Sequence, residues 1–218
     1  MKFEAAIFDL DGTLLDSMGI WEQIDISFLR KRNLSVPEDY AAKISSLSFA
    51  ETAHYTIARF GLEEKAEDIM QEWSEMAAYE YAHNVRLLPH ALDYLLKLKE
   101  AGIRLAVATG MTVKLAIPCL KNNAILELFD AVCSTDEVAH GKEYPDVFEL
   151  AADKLGVLPE KCIVFDDVLP AIKSAKQAHM ITCGVYDQYS ERQRAEIEKP
   201  ADYYLLDWRD APLPDSGK

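Results

Sequence analysis

Ala5-Ala6-Ile7-Phe8-Asp9-Leu10-Asp11-Gly12-Thr13 is the stretch on which the fold is read. Four apolar residues run straight into two acids separated by one leucine, then a glycine and a threonine. The apolar run is too short for a helix and reads as a buried strand. The Asp, Gly and Thr that follow mark a turn at its carboxyl end. Working outward, runs of the same kind recur at Ile103–Ala108, Ala131–Cys133, Cys162–Phe165, Ile181–Val185 and Tyr203–Leu206. Helical periodicity fills the gaps. His90–Glu100 carries Leu92, Leu95, Leu96 and Leu98 and stops at Gly102. Pro145 starts another helix, with Val147, Phe148, Ala151 and Leu155 inward and Gly156 as the stop. Val168–Ala178 and Ser190–Glu198 also read as helices. Pro118 interrupts the stretch after Gly110, so a helix is expected to begin near Ile117. Strand alternating with helix predicts an α/β fold, a Rossmann-like doubly wound parallel sheet.

One segment breaks this rhythm. Residues 16–84 contain no convincing strand. Ile20, Trp21, Ile24, Phe28 and Leu29 follow a helical period that ends near Asn33. Ser48–Arg59 reads as a second helix. Ala66, Ile69, Trp73 and Met76 mark a third, with its stop near Asn84. The expectation is an α/β core made of residues 1–15 and 85–218, with residues 16–84 inserted as an α-helical cap subdomain. Trp21 is expected to lie in the core of that cap. The tail Ala211–Lys218, with two prolines, is expected to be loosely held.

The chain has 218 residues, awkward for one ordinary domain or two full ones, and an inserted subdomain accounts for this. With 50% hydrophobic residues it can build a sizeable core. Asp and Glu outnumber Lys and Arg by 37 to 23, a formal charge of −14 that disfavours nucleic acid and anionic membranes as partners. Cys119, Cys133, Cys162 and Cys183 form no C-x-x-C pair and fit buried, reduced thiols, hence a reducing, cytoplasmic setting. The N-terminus reads as a strand, not a leader, and no apolar run nears the roughly 18 residues of a membrane span. A monomer is the default expectation.

In open parallel sheets, sites form beyond the carboxyl ends of the strands. Those ends carry Asp9 and Asp11, Thr109-Gly110, and Asp166-Asp167, while Gly141-Lys142 follows the third strand. Four carboxylates brought to one point repel one another unless a cation holds them. All-oxygen ligation suits a hard cation such as Mg2+. A lysine and a threonine hydroxyl beside it make a phosphate site. A carboxylate there can act as nucleophile, and its partner two residues on can pass a proton to the leaving oxygen and then activate water.

Phe8-Asp9-Leu10-Asp11-Gly12-Thr13-Leu14-Leu15-Asp16-Ser17 resembles the first motif of the haloacid dehalogenase superfamily. Ala106-Val107-Ala108-Thr109 resembles its second motif, Lys142-Glu143-Tyr144-Pro145-Asp146-Val147-Phe148 its third, and Val164-Phe165-Asp166-Asp167 its fourth. The branch it is most similar to contains phosphoglycolate phosphatase and beta-phosphoglucomutase, with a helical cap inserted after the first motif. The resemblance implies Asp9 as nucleophile and Asp11 as general acid and base, its backbone carbonyl on Mg2+. It implies phosphate binding by Asp9, Leu10, Asp11, Thr109, Gly110 and Lys142. It implies a metal site of Asp9, Asp11, Asp166 and Asp167, with Asp167 favoured as the direct ligand. The implied activity is hydrolysis of a small phosphorylated metabolite through an aspartyl phosphate.

Departures from the family pattern fall at Gly110, Glu143 and Val168, where Ser or Asn, Pro, and Ser or Thr are common. Trp21 stands about where mutases of this branch carry a histidine, which lowers the phosphosugar-mutase alternative. A second alternative is a binding protein that keeps the fold without turnover. Candidates for substrate contact from the cap are Met18, Trp21, Ser48, Glu51 and His54.

Overall fold

The computed structural model describes residues 3–44 and 47–214. Its described residues fall into two compact units, one running up to Met18 and resuming at Val85, the other Gly19–Asn84. Asp16, Ser17 and Met18 thus group with the first unit, three residues later than the boundary expected from the sequence. The Asp16 N–H donates to the Arg86 carbonyl at 2.9 Å, and the Ser17 hydroxyl donates to Asp11, which ties this stretch to the first unit.

The first unit opens with β1 (Ala5–Phe8). In the Gly19–Asn84 unit follow α1 (Ile20–Lys31), α2 (Tyr40–Ile44), α3 (Phe49–Phe60) and α4 (Ala66–His83). The first unit then continues with α5 (Ala91–Glu100), β2 (Arg104–Thr109), α6 (Val113–Asn122), β3 (Ala131–Ser134) and α7 (Asp146–Leu155). It closes with β4 (Cys162–Asp166), α8 (Leu169–Gln177), β5 (Ile181–Val185), α9 (Arg194–Glu198) and β6 (Tyr203–Leu205).

The six strands form one parallel sheet in the order β3-β2-β1-β4-β5-β6. This is the doubly wound order, in which β1 and β4 flank the point where winding reverses and a crevice opens. Alternation along β1 sends successive side chains to opposite faces. Ile7 joins Val147, Phe148 and Ala151 of α7 and Ala171 and Ala175 of α8. Phe8, on the other face, stacks on Phe165 at 4.8 Å and meets Tyr94 and Trp208. Both faces are therefore covered, which is why the strands read as unbroken apolar runs. The Gly156 C-cap in the left-handed region (φ 62°) ends α7.

Several local expectations are corrected. α6 begins at Val113, not near Ile117, and Pro118 lies inside it. The lost backbone bond is offset by the buried face of Ala116, Cys119 and Leu120. On α5 the inward face is Ala91, Tyr94, Leu95 and Leu98, while Leu92 and Leu96 are exposed. Ser190–Glu198 is a 3-10 turn, Glu191–Gln193, followed by the single turn and a half of α9. At the C-terminus Ala211 is buried and Pro212 accepts a hydrogen bond from the Tyr94 hydroxyl at 2.6 Å, so the described part of the tail is held. Residues 215–218 lie outside the described residues.

Among its described residues the Gly19–Asn84 unit contains helices and no strand. Ile24, Phe28, Ile69, Trp73 and Ala77 form its interior. Trp21 is 45% exposed and edges onto the exposed Phe49 at 5.7 Å, so it is not core. Its helical phase is close to that of the buried Phe28, seven residues on, but Trp21 stands in the first turn of α1, where it is left half open. All four cysteines are buried and free. Among the described residues no helix is long and apolar enough to cross a membrane.

Candidate active site at the carboxyl ends of β1 and β4

Register places the acids. Phe8 pairs with Phe165, and the Asp9 N–H donates to the Phe165 carbonyl at 3.0 Å, so the ladder carries Asp9 beside Asp166. Asp9, Asp166 and Asp167 are 6%, 0% and 3% exposed, and each brings an oxygen within 4.8 Å of the others. Lys142, from the loop before α7, donates to Asp9 Oδ1 and, at 2.8 Å, to Asp166 Oδ2. Asp166 Oδ1 accepts the Val168 N–H at 3.1 Å, so both of its oxygens are engaged. Asp167 Oδ1 accepts the Thr13 hydroxyl at 3.2 Å.

The electrostatics follow from this packing. Burial, then the charges of Asp166 and Asp9, push the Asp167 carboxyl up from its ordinary value. Burial and Asp9 also raise Asp166, against the pull of Lys142. Burial alone would lower Lys142, but Asp166 and Asp9 together raise it instead, so its ammonium is held charged. Three buried carboxyl groups face one ammonium here, more acid than that single cation can neutralise. An all-oxygen donor set with that excess fits a hard divalent cation.

The turn after β1 is tight because the Leu10 carbonyl accepts the N–H groups of Thr13, Leu14 and Leu15 at 2.8–3.2 Å. Leu10 is thereby fixed, its side chain fully buried, leaving its backbone N–H as the group it can offer an anion. Gly12 closes the turn at φ 73°, and a Cβ there would sit 2.8 Å from Asp167 Oδ2. Backbone freedom and close approach both require glycine.

The other expected residues are placed as follows. Asp11 is half-buried and accepts from the Ser17 hydroxyl. Thr109 is buried at the end of β2, its Oγ1 accepting the Met111 N–H at 3.1 Å. Gly110 has open space where a Cβ would point. Met18 belongs to the first unit. Trp21, Ser48, Glu51 and His54 belong to the second, where Ser48 and Glu51 form a reciprocal capping box at the start of α3. Sequence reasoning assigned no role to Thr13 or Ser17, whose hydroxyls bond Asp167 and Asp11. Their signal was present, since both hydroxyls lie inside the first acidic motif.

A family model described as haloacid dehalogenase-like hydrolase matches residues 3–179. The chain belongs to the haloacid dehalogenase-like hydrolases. It is 30% identical over 191 residues to fructose-1-phosphate phosphatase YqaB of Escherichia coli K12, covering 82% of this chain and 94% of that one. It is 29% identical over 180 residues to hexitol phosphatase A of the same organism, covering 82% and 81%. Among solved structures, a mutant of CbbY of Rhodobacter sphaeroides in complex with xylulose-(1,5)bisphosphate superposes with a TM-score of 0.73 at 26% identity, covering 95% of this chain and 96% of that one. This hydrolase family and its parallel sheet match what the motifs of the present chain imply.

Proposed function

We propose that this hydrolase is a Mg2+-dependent phosphatase of a small phosphorylated metabolite, with a sugar or sugar-alcohol phosphate as the favoured class. The observation that carries this reading is the buried group of Asp9, Asp166, Asp167 and Lys142 at the crevice of the sheet. The relatives named for fructose 1-phosphate and hexitol phosphates support the substrate class. A cytoplasmic location and a capping role for the Gly19–Asn84 unit belong to the same proposal.

Asp9, Asp167 and the Asp11 carbonyl are the groups proposed to hold Mg2+, with Asp166, paired to Lys142, contributing charge to the same cluster. Bound there, the cation supplies charge neutralisation for the phosphoryl group and for the crowded acids. The residues do the rest. An Asp9 carboxylate oxygen attacks phosphorus, and the bond from phosphorus to the substrate alcohol oxygen breaks. Asp11 gives its proton to that oxygen as the alcohol leaves. A water then attacks the aspartyl phosphate, Asp11 takes its proton, and Asp9 is restored as phosphate departs. Lys142 and Thr109 hold the phosphoryl oxygens throughout, one as a point charge and the other as a hydroxyl donor.

Phosphate release from a panel of hexose 1- and 6-phosphates, hexitol phosphates, phosphoglycolate and pyrophosphate, with and without Mg2+, tests this. Release from one or more sugar phosphates only with Mg2+ is expected. Interconversion of hexose 1- and 6-phosphates without phosphate release favours the mutase, and inactivity on every ester despite Mg2+ binding favours a binding protein.

A further inference from the structure

Lys142 is the one catalytic group proposed above that no strand end presents. It sits in the loop that joins the 3-10 turn Thr135–Glu137 to α7. A lysine on such a loop carries a flexible four-carbon stem, and its ammonium must still arrive at one place. Something has to fix the backbone from which the stem departs.

The fixing group is on α8. The Ser174 hydroxyl, 1% exposed, donates to the Lys142 carbonyl at 2.5 Å. The Ala171 carbonyl of its own helix lies farther away, at 3.1 Å. A serine hydroxyl has one proton, and the shorter contact takes it. Mid-helix serines commonly turn that proton back onto their own helix, so its use across to a loop is specific to this packing. Asp166 ends β4, and α8 begins at Leu169, so a single strand-turn-helix segment carries both groups. That segment grips Lys142 twice: Asp166 holds its ammonium and Ser174 holds its carbonyl.

We infer that Ser174 is a positioning residue for Lys142, setting where the ammonium meets the phosphoryl group. This rests on the phosphatase reading for its catalytic consequence but not for its binding consequence. The flanks of the loop show why one hydroxyl matters. On the α7 side the His140 ring pairs with Asp146 at 2.8 Å, and the Tyr144 N–H bonds the Gly141 carbonyl at 3.0 Å. These close the loop on itself. The Ser174 hydroxyl supplies the described hydrogen bond that ties the Lys142 backbone to the helix beside the acids.

The test uses the full chain with Ser174→Ala, Ser174→Thr and Ser174→Cys. Loss of one buried donor is expected to weaken competitive binding of inorganic phosphate, with Mg2+ present, by about tenfold. It is expected to lower kcat/KM by a similar factor, while Mg2+ affinity stays unchanged. Threonine keeps the hydroxyl and restores both, whereas cysteine, of similar size but a weak donor, tracks alanine. Wild-type phosphate binding and kcat/KM in both Ser174→Ala and Ser174→Cys overturns the inference. If the wild-type chain releases no phosphate from any ester, the phosphatase reading fails, and the phosphate titration alone decides Ser174.

Discussion

Lys142 Nζ lies 2.8 Å from Asp166 Oδ2, and that pairing divides the labour between the two adjacent acids. Asp166 spends its second oxygen on the Val168 N–H. Asp167 makes no direct ion pair among the described residues; Lys142 acts on it from a distance, and the Thr13 hydroxyl bonds one of its oxygens. It is therefore the acid of the pair proposed here to give an oxygen to a cation.

Asp167→Asn should separate stability from metal binding. Its carboxyl is raised in the folded state, so the fold prefers it neutral. Stability from that preference is full below the unfolded pKa and is lost as pH rises through the folded one. At pH 8 without Mg2+, the asparagine variant is expected to be more stable than the wild type by at least about 1 kcal/mol. With Mg2+ the wild type should gain melting temperature and the variant should not. Thermal melts at pH 8 with 10 mM EDTA and with about ten times the metal dissociation constant of Mg2+ check this.

Gly12→Ala should damage the site more than its size suggests. The added Cβ meets Asp167 Oδ2 at 2.8 Å, and alanine resists φ 73°. A loss of about 2 kcal/mol is expected from the two effects combined. Asp167 must shift to admit the methyl, so Mg2+ affinity should fall as well. Urea unfolding and a Mg2+ titration followed by intrinsic fluorescence measure both.

The fold was legible because the runs that form strands are short, apolar and followed by acids. Buried on both faces, such strands need no alternation, and their ends are marked by Asp9, Thr109 and Asp166. What could not be read depends on tertiary contacts. Pro118 is a breaker by local rule, yet packing of Ala116, Cys119 and Leu120 carries α6 through it. Trp21 is apolar and in phase with the buried Phe28, yet it stands in the first turn of α1 and is half exposed, which periodicity alone does not reveal. The short helix α2 has too few residues for a period to show. At the site, the acids and Lys142 are visible in sequence, while the Ser174 contact joins residues 32 apart and exists only once the sheet is wound.

Asp25 offers a pH test within the helical unit alone. Burial, then the charge of Glu22, raises its carboxyl from 3.8 to about 6. Its neutral form suits the fold, so its contribution is full below about pH 3.8 and lost as pH rises through about 6. Asp25→Asn is expected to stabilise the protein by about 1 kcal/mol at pH 8, a value reduced for partial solvent screening. At pH 4 the variant and wild type should match. Urea midpoints of both proteins at the two pH values decide it; equal differences at pH 4 and pH 8 would remove the electrostatic explanation.

Asp9 is proposed to carry the phosphoryl group between the two half-reactions. Asp9→Asn keeps the shape of the side chain and removes the nucleophilic charge. Phosphate release from the best sugar phosphate of the panel, measured with saturating Mg2+ for the wild type and this variant, tests it most directly. A loss of about 10^4-fold or more in kcat is expected, with the folded state and binding of the sugar phosphate retained. Turnover by Asp9→Asn at the wild-type rate would contradict it.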